Sequence, residues 1–140
     1  MASVSDLARR TFGSEGELRA WTAEQLVATA ERNWDPELIY EEDPLWPGSS
    51  TFRGKDAVLE RFAEYGEILA GWETQVEAIE EIPPDRALMV FTFRGQSTGQ
   101  HVPVEHRWAY LLTAADEGDR VVRWRAYLDP DVARRDAGLS

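Results

Sequence analysis

The chain has 140 residues, 43% hydrophobic and 29% charged, the composition of one globular domain and not of a disordered or membrane-embedded polypeptide. Its 26 acidic side chains against 15 basic ones leave a formal charge of −11, and Lys55 is the sole lysine, so nucleic acid and anionic membrane surfaces are excluded as natural partners. Cysteine is absent, which removes disulfides, thiol nucleophiles and cysteine-bound zinc, while six Trp, four Tyr and five Phe stand out.

Residues 1–10 lack the basic start and apolar run of a signal peptide, and no window has the length of apolar sequence that a bilayer requires. A soluble, cytoplasmic protein is the expected class. Ser5 and Asp6 can cap a first helical segment running to about residue 21, weakened in its middle by Gly13 and Gly16. Thr22-Ala-Glu-Gln25 has the spacing of a capping box and predicts a helix over residues 22–33, with Leu26, Val27 and Ala30 on one side. Asp35-Pro36 stops it, because the residue before proline avoids the helical region. ELIYEED at 37–43 predicts a short strand, and Pro44, Pro47 and Gly48 a loop.

A third helix follows Gly54, with Val58, Leu59, Phe62 and Tyr65 at helical spacing and Gly71 as its stop. Strands are predicted over 72–82, 87–94, 102–113 and 121–128, separated by Pro83-Pro84-Asp85, a bend at 95–99 and a turn at 116–119. Helices first and a run of antiparallel strands afterwards imply an α+β fold, with the sheet curled over the helices.

Two stretches give that order a family likeness. Residues 34–62, WDPELIYEEDPLWPGSSTFRGKDAVLERF, and the closing RVVRWRAYLDP with Ala137-Gly138-Leu139 resemble the nuclear transport factor 2-like superfamily, in its SnoaL-like and ketosteroid isomerase-like branch. The resemblance implies a cystatin-like α+β barrel: a cone-shaped, curved antiparallel sheet wrapped around N-terminal helices, with a pocket at the wide end. It also implies one SnoaL-like domain over residues 1–140, of which 1–15 form a loosely ordered or helical extension, and a homodimer through the outer sheet face. Such proteins include isomerases, epoxide hydrolases, polyketide cyclases, dehydratases and non-catalytic binders, so the site must decide the function.

Glu42-Asp43-Pro44 is similar to the tripeptide whose Asp is the general base of ketosteroid isomerases, which makes Asp43 the first catalytic candidate. A carboxylate at an apolar pocket mouth is desolvated and becomes a stronger base. The competing role for Asp43 is an Asx-turn ahead of proline. The isomerase's second acid and its helical Tyr have no counterpart near residues 106–108 or 19–21. Limonene epoxide hydrolase implies an acid where WRAY offers Ala126, and an Asp within 87–94, which holds none. Asp129 matches a late-sheet cyclase base by position, but it equally starts a C-terminal helical turn.

Alternation places His106, Trp108, Tyr110 and Leu112 on one face of their strand. His106 is then either an acid–base partner of Asp43 inside the pocket or a rim histidine bonded to backbone. His101 and His106 fall on opposite faces, against a shared metal site, and neither a metal nor a cofactor is expected. Trp21, Phe62, Trp108, Tyr110 and Trp124 are the candidate ligand-binding residues, with plain core packing as the alternative. Arg107, Arg123 and Arg125 are expected on the outer face near Glu73, Glu77 and Glu105. These readings converge on a protein that takes a hydrophobic or oxygenated small molecule. It is either a cofactor-free isomerase, cyclase or dehydratase working through Asp43, or a non-catalytic binding module.

Overall fold

Ser3 opens the first helix by accepting the Asp6 N–H on its hydroxyl at 3.0 Å, and α1 (Val4–Phe12) follows. The structure, a computed structural model, describes residues 3–99, 103–116 and 118–139. The helix stops well before residue 21. Gly13 and Gly16 both take positive φ, and the chain returns as the edge strand β1 (Leu18–Trp21). Leu7 and Ala8 are fully buried and Phe12 nearly so, making α1 part of the core.

The capping box at Thr22 forms in both directions and starts α2 (Ala23–Asn33). This helix runs directly into β2 (Trp34–Glu41), three residues earlier than the pattern predicts, with Pro36 inside a stretch of shifted register. After β3 (Thr51–Arg53), Gly54 adopts φ +94° and its N–H donates to Leu38 O at 2.7 Å. That close approach launches α3 (Lys55–Ile68), whose Val58 is fully buried. Then come β4 (Leu69–Ile82), β5 (Arg86–Ser97), β6 (Pro103–Ala114), β7 (Val121–Tyr127) and α4 (Pro130–Asp136).

The seven strands form one curved, unclosed sheet in the order β1-β4-β5-β6-β7-β2-β3. All neighbouring pairs are antiparallel except β2 and β7, which run parallel with Tyr40 opposite Trp124. The expectation of a wholly antiparallel sheet is corrected at that seam. Alternating burial is the same for both strand directions, so the pattern could not reveal it.

The inner face carries Val76, Met89, Phe91, Leu112, Trp124 and Ala126 against α1, α2 and α3. The outer face is divided. Ile82, Leu88, Val90, Ala109, Leu111 and Tyr127 form a second core under α4, sealed by Val132, Ala133, Ala137 and Leu139. Its remainder is charged: Arg107 pairs with Glu77, Arg94 with Glu105, and Arg123 and Arg125 both with Glu41. Exposed pairs of this kind contribute only about 0–1 kcal/mol each. Glu41, and not the expected Glu73 or Glu105, is the partner of the two arginines on β7.

Candidate functional site

Between α2, α3 and the β1–β4 edge lies a cavity of about 410 Å³, walled by Trp21, Leu26, Leu59, Phe62, Ala63 and Trp72. A recess of about 30 Å³ shares Trp21, Leu26, Phe62 and Trp72 with it and reaches Phe91, Tyr110 and Trp124 on the sheet. Strand geometry sets this up. Trp21 and Trp72 are paired across β1 and β4, and the Trp21 indole N–H donates to Thr74 Oγ1 at 2.8 Å. On α3, Leu59, Phe62, Ala63 and Gly66 recur at helical spacing and turn toward the sheet. Phe62 stacks on Trp124 at 5.3 Å, and Tyr110 meets the Trp124 ring edge-on at 4.9 Å.

The candidates separate cleanly. Trp21 and Phe62 line both parts of the cavity, and Tyr110 and Trp124 line the recess. Trp108 lines neither; its ring packs edge-on against Trp46 at 5.3 Å and against His106 at 5.4 Å. It shares the inner face of β6 with Tyr110, but lies further toward the Asp43–Trp46 loop.

Asp43 sits in that loop, away from the cavity lining. Its Oδ1 accepts the Leu45 N–H at 3.0 Å, and its Oδ2 accepts the Leu128 N–H at 2.9 Å. His106 is exposed and donates from Nε2 to the Leu128 carbonyl at 2.9 Å. The two residues meet on the backbone of Leu128, Asp43 in the Asx-turn and His106 in the backbone-bonded position that stood as the alternatives to an acid–base pair. Asp129 caps α4 by accepting the Asp131 N–H at 2.9 Å, and His101 lies outside the described residues.

No family model matches the chain, and no curated protein matches its sequence. Solved structures do. An NTF2-like protein from Burkholderia thailandensis superposes with TM-score 0.72, covering 100% of both chains at 17% identity. A candidate SnoaL-like polyketide cyclase from Jannaschia gives 0.71 over 96% of this chain and 90% of that one, at 18% identity. This is the NTF2-like fold. A third NTF2-like relative in shape, a ketosteroid isomerase-like fold from Catenulispora acidiphila in complex with trimethylamine, gives 0.63 over 96% and 89% of the chains at 13% identity. Identities this low establish architecture and leave the chemistry to the residues.

In this NTF2-like frame the buried ionic group is Glu42, next to the acid singled out from sequence. Its side chain is 3% exposed. Arg61 holds it in a fork, Nη2 to Oε1 at 2.8 Å and Nε to Oε2 at 3.0 Å, and the Ser50 N–H reaches Oε1 at 3.2 Å. The Tyr65 hydroxyl donates to Oε2 as well. Arg61 is further held by the Gly48 carbonyl at 3.2 Å, and its guanidinium lies over the rings of Phe52 and Tyr65. This charge-assisted network clamps α3 to the loop after β2. Burial, reinforced by the hydrogen bond to Glu42, holds the Tyr65 phenol well above its ordinary value. Burial likewise raises Tyr110, with the nearby Tyr65 and Glu42 adding to it.

The signal for Glu42 was in the alternation. Leu38, Tyr40 and Glu42 are the buried positions of ELIYEED, so parity sends Glu42 inward and Asp43 to the other side. Among the described residues no group of three or more His, Asp or Glu could hold a metal ion.

Proposed function

We propose that this chain binds a small hydrophobic molecule in the cavity between α2, α3 and the sheet. The observation that carries the reading is the lining itself: about 410 Å³ of space walled by Trp, Phe and Leu side chains on four different elements. That volume is in the range of small-molecule sites, and flat indole and phenyl rings suit a hydrophobic or aromatic guest. The relative in shape that holds trimethylamine lends support from a protein of the same fold.

Binding without turnover is the form of the proposal that the polar groups favour. Proton-transfer chemistry, whether isomerisation, cyclisation or dehydration, needs a base within hydrogen-bond reach of the bound molecule. Both oxygens of Asp43 are engaged by backbone N–H groups, Glu42 is engaged by Arg61, Ser50 and Tyr65, and among the described residues the cavity lining contains no carboxylate or imidazole.

The experiment is a fluorescence titration with N-phenyl-1-naphthylamine, a neutral probe that brightens in apolar surroundings. Saturable one-to-one binding is expected. A response that never saturates, or none, removes the cavity as a binding site.

A further inference from the structure

The aromatic cavity opens between two helices, and the charge around its mouth is one-sided. Among the lining residues Ala23 and Val27 on α2 and Ala63 and Gly66 on α3 are exposed, whereas Trp21 is buried and Phe62 and Trp72 are half-buried. The mouth is therefore on the helix side, with the rings as the floor. Glu24 and Glu31 stand three residues before and four after Val27, and Glu60 and Glu67 repeat that spacing around Ala63. Side chains so spaced are neighbours on a helix surface, with Cβ atoms about 5–6 Å apart. All four glutamates are exposed, and among the described residues none takes part in an ion pair.

Nearby cations do not offset them. By the same spacing Leu59 has Lys55 and Asp56 as neighbours, and their charges cancel. Arg19, whose guanidinium lies over the Trp21 ring, is paired with Glu17 at 3.4 Å. Among the described residues the lining itself holds no Lys, Arg, His, Asp or Glu, so the charge stays hydrated around the opening and the interior stays apolar. A carboxylate brought to this mouth is repelled and an ammonium group attracted, without either ion having to enter the low-dielectric space. The net charge of −11 adds the same sign at longer range. The indole rings of Trp21 and Trp72 suit the same guest, because aromatic faces attract organic cations within about 6 Å.

Resting on the binding function proposed above, we infer that the occupant of this cavity is an amphiphilic cation, its apolar body on the aromatic floor and its ammonium group at the mouth, with Glu24, Glu31, Glu60 and Glu67 setting the preference. The test is equilibrium dialysis with three probes that share a naphthalene body: trimethyl(2-naphthylmethyl)ammonium, its uncharged isostere 2-neopentylnaphthalene, and 2-naphthylacetate. At low ionic strength the wild-type protein should hold the cation at least about tenfold more tightly than the anion. Salt at several tenths molar should narrow that ratio, because the rim charges are exposed. In the variant Glu24→Gln/Glu31→Gln/Glu60→Gln/Glu67→Gln the ratio should fall at least about threefold, while affinity for the uncharged probe stays the same.

An anion that binds as tightly as the cation, a ratio indifferent to salt, or a ratio that survives the four substitutions overturns the inference while leaving the binding function standing. So does a loss in the variant that the uncharged probe shares equally. Failure of all three probes to bind overturns both. The wild-type comparison of cation with anion is decisive even if the variant does not fold.

Discussion

Asp43 and His106 hold the same residue from two sides: the Leu128 N–H donates to Asp43 Oδ2, and the Leu128 carbonyl accepts from His106 Nε2, each at 2.9 Å. The last strand therefore leaves the sheet pinned on both backbone groups, one residue before the cap of α4. Two residues that look catalytic in sequence act here on the exit of β7.

Asp43→Asn should accordingly lower stability by about 1 kcal/mol, since one backbone N–H loses a charged acceptor. Affinity for N-phenyl-1-naphthylamine should stay the same. Urea unfolding and the dye titration check the two halves of this statement. Unchanged stability with lost binding would return Asp43 to the site.

The Glu42–Arg61 fork should behave as a buried ion pair. Arg61→Met strands the Glu42 carboxylate, 3% exposed, without its counter-charge. The expected loss is about 3–5 kcal/mol. The double variant Glu42→Gln/Arg61→Met should recover part of it, because the stranded charge is gone. Denaturant unfolding of the wild type, Arg61→Met, Glu42→Gln and the double variant completes the cycle.

All four tyrosines should resist ionisation in the folded state. Burial first, and then neighbouring phenols or Glu42, hold Tyr40, Tyr65 and Tyr110 well above the ordinary 10.0, and burial takes Tyr127 to about 12. Below that ordinary value the phenols are protonated whether the chain is folded or not, and stability is indifferent to them. Above it the unfolded chain releases protons that the folded chain keeps, so stability falls as pH rises. Tyrosinate absorbance should therefore appear together with unfolding; a separate step near the ordinary value in still-folded protein would contradict the burial.

Self-association through the outer sheet face would have to use its charged strip, because α4 covers the apolar part of that face. Charge-mediated contacts are screened by salt. Light scattering should then give a mass that falls toward 15.9 kDa as salt is raised. A dimer indifferent to salt would place the contact on another face.

Much of this was legible because it depends on local chemistry. The Thr22–Gln25 box, the Gly54 launch of α3 and the Asp129 cap each need only neighbouring residues, and all three form. The cavity wall was legible in part, since helical spacing turns Leu59 and Phe62 to one side. Alternation assigns a face but not a depth along the strand, so Trp108 was grouped with Tyr110 although it packs on Trp46. The parallel β2–β7 seam was silent for a related reason: it joins strands far apart in sequence, and neither carries a mark of direction. Glu42 was readable by parity but was eclipsed by the family likeness of Asp43.

The central claim is that the aromatic cavity is a binding site, and Ala63→Trp tests it most directly. Ala63 is an exposed position on α3 that borders the cavity, so a Trp there fills the space without disturbing the core. The account predicts saturable one-to-one binding of N-phenyl-1-naphthylamine to the wild-type protein and at least about a tenfold loss in a folded Ala63→Trp variant. Undiminished binding in that variant would contradict it.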